Sequence, residues 1–260
     1  WFAAMLHYHR NELEDAAQHF TQIFENRYTA QMSSFRDAVA GLMLIHQIKG
    51  ESAEAWQMVE SISQFDLEQS GSEDNRTRSL RARLMLMQGD MKGAGNWVST
   101  LTNLPSDQSL VWLEEPQVTR ARILLTRGGE ADLRLARQIL DTLDEIADRT
   151  YNTRFRIEIL VLRALALDSQ GENSKANAVL KQALDLAHPG GFIRVFADLG
   201  VPMQAMLRRL EKQDHSTETI SRILAAFPTD DVNLVSGGRY PSPGDSTLVE
   251  PLTRRELEVL

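Results

Sequence analysis

A spacing near forty residues recurs along the whole front of the chain and constrains its fold more than any other feature. A turn-like residue, a short polar stretch and an alanine five positions on appear as Asn11-Glu-Leu-Glu-Asp-Ala16 and Gly50-Glu-Ser-Ala-Glu-Ala55. They return as Gly89-Asp-Met-Lys-Gly-Ala94 and Gly171-Glu-Asn-Ser-Lys-Ala176, and a longer version runs from Gly128 to Ala136. The five alanines are separated by 39, 39, 42 and 40 positions. Another small side chain stands twelve residues earlier at Ala4, Ala82 and Ala164, and Ala121 matches once the insertion after Gly128 is allowed for. Met43 is the exception. Apolar residues follow each alanine at four and seven, beginning with Phe20 and Ile23 and ending with Leu180 and Ala183.

A period held over five units predicts stacked antiparallel helix pairs. Gly or Asn ends the first helix of a pair in the left-handed region, and a polar or acidic residue starts the second. Facing alanines bring the two axes to the short end of the ~8–10 Å packing range. The expected fold is all-α, with about five helix pairs over residues 1–187. The small–Gly–Ala–apolar order resembles the tetratricopeptide (TPR) pattern, which implies a right-handed superhelix, an α-solenoid. The period near 40 departs from the 34 residues of that repeat, and its aromatic positions are poorly kept.

From His188 the texture changes. Glycines and prolines surround a short apolar helix, and Val201 to Lys212 reads as an amphipathic helix with Met203, Met206, Leu207 and Leu210 on one face. Ser216 to Phe227 reads as another, carrying Ile220, Ile223 and Leu224. Residues 188–227 are expected to cap the open end of the stack. Residues 228–250 have linker composition, rich in Pro, Gly and acidic residues. Pro251 precedes Thr253 and Glu256, whose S/T-x-x-E spacing is that of a capping box, with Leu257 and Leu260 following at helical spacing.

Two of these stretches carry a family resemblance. Pro251-Leu-Thr-Arg-Arg-Glu-Leu-Glu-Val-Leu260 resembles the first helix of the LuxR-type helix-turn-helix domain, which makes residues 251–260 the start of a truncated module. Pro189-Gly-Gly-Phe-Ile-Arg-Val-Phe-Ala-Asp-Leu-Gly200, with Val201-Pro-Met203 and Leu207 after it, looks like the segment that follows the helical repeats in MalT-like regulators, the large ATP-binding LuxR family. The resemblance implies a bacterial, cytoplasmic transcriptional activator in which inducer and ATP drive self-association. It places ATP on a separate module, and no G-x-x-x-x-G-K-[ST] occurs in this chain. DNA contact is expected only through the helix-turn-helix domain. Trp1-Phe-Ala-Ala-Met5 lacks an initiator Met and a signal pattern and reads as an internal cut.

Composition excludes several other roles. A formal charge of −8 argues against phosphate neutralisation by these residues. No apolar run of membrane-spanning length occurs. The absence of cysteine removes disulfides, thiolate zinc sites and a Cys nucleophile, and fits a reducing compartment. His7 and His9 are two apart, which on a helix points them to different sides, unlike a metal-binding pair at i and i+4. Acidic pairs such as Glu114-Glu115 read as solvated charge near helix starts. No nucleophile elbow frames a serine, so the reading is no enzyme and no cofactor in this chain.

Binding is the expected use. In stacked pairs the first helix of each unit lines the inner face. Beside the small residue lie Met5, Leu44, Arg83, Arg122 and Leu165, and three positions on lie Tyr8, Gln47, Leu86, Leu125 and Asp168. Tyr8, Gln47, Arg83 and Arg122, with Arg76 at the start of its helix, are the candidates for a mixed polar groove site. Two arginines facing the groove imply an anionic small molecule or acidic peptide, unless each pairs with a carboxylate such as Glu115. Trp56 and Trp97 fall on second helices and read as packing between repeats. The functional expectation is an effector-sensing and self-association region. The alternative is a TPR-type scaffold that holds a protein or peptide in its groove.

Overall fold

The computed structural model describes residues 1–101, 112–213 and 218–228. Five helix pairs follow in order: α1 (Phe2–His9) with α2 (Leu13–Glu25), α3 (Met32–Ile48) with α4 (Ser52–Ser70), and α5 (Asn75–Met87) with α6 (Met91–Val98). Then come α7 (Pro116–Arg127) with α8 (Glu130–Arg149) and α9 (Thr153–Ser169) with α10 (Asn173–Ala187). A 3-10 turn, His188–Gly190, leads to α11 (Arg194–Ala197), α12 (Gly200–Lys212) and α13 (Glu218–Leu224). The stretches read as a linker and as a truncated helix-turn-helix lie outside the described residues.

The repeat signal and the packing coincide. All five turn residues hold positive φ, from 64° at Asn11 to 82° at Gly89. Asn is among the few non-glycine residues that occupy this region readily. Ala16, Ala55, Ala94, Ala136 and Ala176 are completely buried, and so are their partners Ala4, Met43, Ala121 and Ala164. The insertion after Gly128 does not lengthen the turn. Helix α8 starts two residues after that glycine, as α4 starts two after Gly50, and the extra residues add about one helical turn before Ala136. Across two other turns a histidine reaches a glutamate, His7 Nδ1 to Glu12 Oε2 at 2.5 Å and His46 Nδ1 to Glu51 Oε2 at 2.6 Å. Its recurrence one repeat later marks this contact as a feature of the turn.

A glycine inside α3 shows how tightly successive pairs mesh. A Cβ on Gly41 would lie 2.3 Å from Phe20 Cε2, so the fully buried Phe20 ring of α2 sits directly on the α3 backbone. The ~1 kcal/mol that glycine costs in a helix interior is offset by that contact.

The first helices form a closed circuit. Helix α1 packs on α3, α3 on α5, α5 on α7 and α7 on α9; α11 then packs on both α9 and α1. The C-terminal segment thus does more than cap an open end. Met203, Met206, Leu207 and Leu210 of α12 and Ile220 and Ile223 of α13 are buried in one core with α9 and α10. At the same time the segment before α11 reaches back to the first repeat. Ile193 N–H donates to the His9 carbonyl at 2.6 Å, and Arg10 Nε donates to the Gly190 carbonyl at 3.0 Å. Tyr8 donates its hydroxyl hydrogen to Asp198 Oδ2 at 2.6 Å, and Arg194 Nη1 donates to Asn11 Oδ1 at 3.2 Å. No helix among the described residues is long and apolar enough to cross a membrane.

Candidate functional site

The space inside this circuit has two halves with different contents. The N-terminal half is filled by the chain itself. Trp112 to Glu115, just before α7, lies against the inner helices and is held by its backbone as much as by its side chains. Leu113 N–H donates to Asp37 Oδ1 at 2.6 Å, and Arg83 Nη1 donates to the Leu113 carbonyl at 3.1 Å. Arg154 Nη2 donates to the Trp112 carbonyl at 2.8 Å. The Trp112 ring lies 5.2 Å from the Trp1 ring, and the Arg76 guanidinium sits 4.7 Å from its centroid.

Charges that sequence reasoning placed in solvent are buried here. Glu114 and Glu115 are 3% and 6% exposed, which corrects their reading as solvated residues at a helix start. The loop that carries them turns inward, and Glu114 accepts hydrogen bonds from Ser79, from Thr119 at 2.6 Å and from Arg83 at 3.1 Å. Burial pushes the Glu115 carboxyl up to about 8, against the pull of Arg76 and with reinforcement from Glu114. Burial also raises Asp37 to about 6, although Trp1 and the Leu113 amide bond its charged form. Burial, aided by Arg154, lowers His9 to about 3 and keeps the ring neutral. For Glu158, burial works to raise the pKa, but Arg154, Arg122 and Arg83 outweigh it and hold the carboxylate charged.

The C-terminal half contains a cavity of about 700 Å³. One wall comes from the first helices of the last three repeats, through Arg83 and Leu86 of α5, Arg122 and Leu125 of α7, and Leu165 and Asp168 of α9. The other wall is Asp198 and Leu199 with Val201, Pro202 and Ala205 of α12. The lining on the repeat side mixes leucines, with Leu133 and Leu162 added, and polar residues that include Thr126, Arg127 and Ser169. Its volume falls within the ~300–1,000 Å³ of small-molecule sites, and its position between helices is a common one for them.

Of the five candidate residues, this cavity brings together Arg83 and Arg122. Tyr8 is buried at the seam with α11, where it is bonded to Asp198, itself a cavity residue. Gln47 accepts a hydrogen bond from Gln88 Nε2 at 3.0 Å, and Gln88 in turn accepts from the Trp56 indole at 2.8 Å. These contacts place both Gln47 and Trp56 in packing between repeats. Arg76 stacks on Trp112 and donates to Ser33 Oγ at 3.3 Å. The reason for the separation is physical: the interior beside the first two repeats is occupied by Trp112–Glu115 and by the α1–α11 seam.

The two cavity arginines are already matched. Arg83 pairs with Glu114 at 3.1 Å and Arg122 with Glu158 at 2.8 Å; neither pairs with Glu115. An anionic ligand therefore loses the free positive charge on which that expectation rested. Glu114, Glu158 and Asp198 were not among the binding candidates read from sequence. One signal was available for part of this set. Six positions before the small residue of each later repeat stand Asp37, Arg76, Glu115 and Glu158, all charged, and Asp37, Glu115 and Glu158 are buried.

Comparison with known proteins agrees with this architecture. The description of the MalT-like TPR region matches residues 2–213. The HTH-type transcriptional regulator MalT of Vibrio campbellii (strain ATCC BAA-1116) is 25% identical over 271 aligned positions, which cover 96% of this chain and 29% of that protein. The chain thus spans less than a third of the length of the curated relative it matches.

Proposed function

This chain belongs to the MalT-like TPR family, and on that premise we propose that it is the effector-sensing and self-association region of a MalT-like transcriptional activator. The observation that carries the reading is the cavity of about 700 Å³ shared between three repeats and α12. An effector there touches both sides of the circuit at once. Asp198 lines the cavity and also accepts the Tyr8 hydroxyl hydrogen from α1, so a ligand that shifts α11 and α12 changes how the circuit closes. Binding energy that differs between two closures moves the population toward the self-associating one. DNA binding is assigned to a LuxR-type module whose start is read at residues 251–260, and ATP binding to a separate module of the parent protein, in the cytoplasm. The role of this chain is binding and coupling.

A thermal-shift screen of metabolites against the 260-residue chain tests the reading. A cognate effector at a hundredfold excess over its Kd adds ~2.7 kcal/mol of stability. Ala205→Trp, on the exposed cavity side of α12, should abolish the shift by crowding a ligand off that wall. A broad screen with no shift would sink the sensor reading.

One observation favours a second reading as a peptide scaffold. Asp37, Arg83 and Arg154 grip the backbone N–H and C=O groups of Trp112 and Leu113 as they would grip an added peptide. Peptide-array binding without any metabolite response would support it.

A further inference from the structure

We propose that the cavity takes an uncharged amphipathic small molecule, its apolar body lying on the leucines and its hydrogen-bond acceptors meeting the Arg83–Arg122 end. This names the ligand class of the site just proposed and rests on that reading. Three observations carry it.

Each charge lining the cavity has a partner, with Glu158 shared between Arg122 and Arg154. Beyond Arg83 with Glu114 and Arg122 with Glu158, Arg127 pairs with Asp132 at 3.0 Å. Asp168 pairs with Arg209, and Asp198 pairs with Arg194. An anion placed at Arg122 meets the carboxylate of Glu158, and a cation placed at Asp168 meets the guanidinium of Arg209. A charged ligand would lose its hydration without gaining an unmatched partner, which is the costly case of charge burial.

Donors nevertheless remain. A guanidinium carries five N–H donors. Arg83 and Arg122 both line the cavity, and they keep N–H groups beyond those given to Leu113, Glu114 and Glu158 for an arriving acceptor oxygen. A carbonyl, ether or hydroxyl oxygen meets that need without bringing a charge. Most of the remaining wall is apolar, with Leu86, Leu125, Leu162, Leu165, Leu199 and Pro202 interrupted by polar residues such as Thr126 and Ser169. A ligand made only of polar groups would gain nothing from that apolar surface, and one made only of hydrocarbon would leave the Arg83 and Arg122 N–H groups at the wall without an acceptor.

Titration calorimetry at pH 7 with three probes of equal chain length separates the possibilities. Octanamide, octanoate and octylammonium share an apolar body and differ in the charge of the head. Octanamide is expected to bind at least tenfold tighter than either ion, and to lose its binding in both Ala205→Trp and Leu165→Asp. Two variants on opposite walls guard against a folding defect in one, and unchanged helicity by circular dichroism is required of each. Tighter binding of octanoate or octylammonium, still abolished by Ala205→Trp, overturns the ligand class and leaves the cavity as the site. Binding unaffected by either variant, or no binding by any probe, overturns the class and the cavity reading together.

Discussion

Tyr8 and Asp198 are 190 positions apart in sequence and hydrogen-bonded at 2.6 Å, so the first repeat and the segment after the last one meet inside the molecule. The contact is buried, and its burial holds the tyrosine hydroxyl protonated, far above its ordinary pKa, with the Asp198 charge reinforcing the effect. A hydrogen bond to a charged group contributes ~1.5–3 kcal/mol. Tyr8→Phe should therefore lower stability in urea by about 1.5–3 kcal/mol, toward the lower end because Arg194 still neutralises Asp198. A double-mutant cycle with Asp198→Asn isolates the coupling. An interaction energy below ~0.5 kcal/mol would mean that the seam is not held by this pair.

Phe20 and Gly41 make a second, purely steric test. Gly41→Ala removes a poor helix former, which on propensity alone would gain ~1 kcal/mol. The added Cβ would instead meet the Phe20 ring at 2.3 Å, and that fully buried ring has little room to retreat. The expected outcome is a net loss of ~1–3 kcal/mol, the usual cost of overpacking. In a Phe20→Leu background the same substitution should become neutral or stabilising. Equal losses in both backgrounds would place the strain elsewhere.

The parts of the fold that repeat were legible in the sequence, because a period converts weak local signals into a strong one. Asn11 alone says little, but at the position of Gly50, Gly89, Gly128 and Gly171 it marks a left-handed turn, and its φ is 64°. Inward positions counted from the small residues led to Arg83 and Arg122 and also to Leu86, Leu125, Leu165 and Asp168, all cavity residues. Contacts between non-repeating segments and the repeats were not legible. The Trp112–Glu115 segment enters the groove between two repeats, and the α1–α11 seam joins residues with no shared register. Tyr8 and Gln47 occupy the same position in their repeats as Leu86 and Leu125, yet the seam and the packing of Gln88 place them elsewhere.

Arg83 lies where the two halves of the interior meet, so truncating it should unsettle the fold before it reports on any ligand. Burial opposes its charge, and Glu114 with Tyr8, Asp198 and Glu158 outweighs that and raises its pKa further. Arg83→Met leaves Glu114 buried with only the Ser79 and Thr119 hydroxyls for partners. Removing one member of a buried ion pair costs ~3–5 kcal/mol. Adding Glu114→Gln should restore more than half of the loss, as measured by urea unfolding. A double variant no more stable than Arg83→Met would show that the carboxylate is not what the arginine compensates.

Glu115 sets the direction of the pH response around neutrality. Its carboxyl is held at about 8 in the fold, against an ordinary value of 4.5, so between those limits the folded protein binds more protons than the unfolded chain. Stability then falls as pH rises through this window. Asp37, raised to about 6, acts in the same sense but is mostly ionised above that pH, whereas His9, lowered to about 3 from 6.5, makes stability rise with pH below 6.5. Between pH 6.5 and 8 Glu115 therefore outweighs the other two groups. The expected decline there is roughly 1–2 kcal/mol, a few degrees in melting temperature for a chain of this size. Glu115→Gln should flatten the profile over that range, and between about pH 4 and 6 it leaves Asp37 and His9 acting in opposite senses, so that their contributions nearly cancel. A wild-type protein whose melting temperature is level from pH 6.5 to 8 would mean that Glu115 is ionised in the fold, and that Arg76 rather than burial decides its charge.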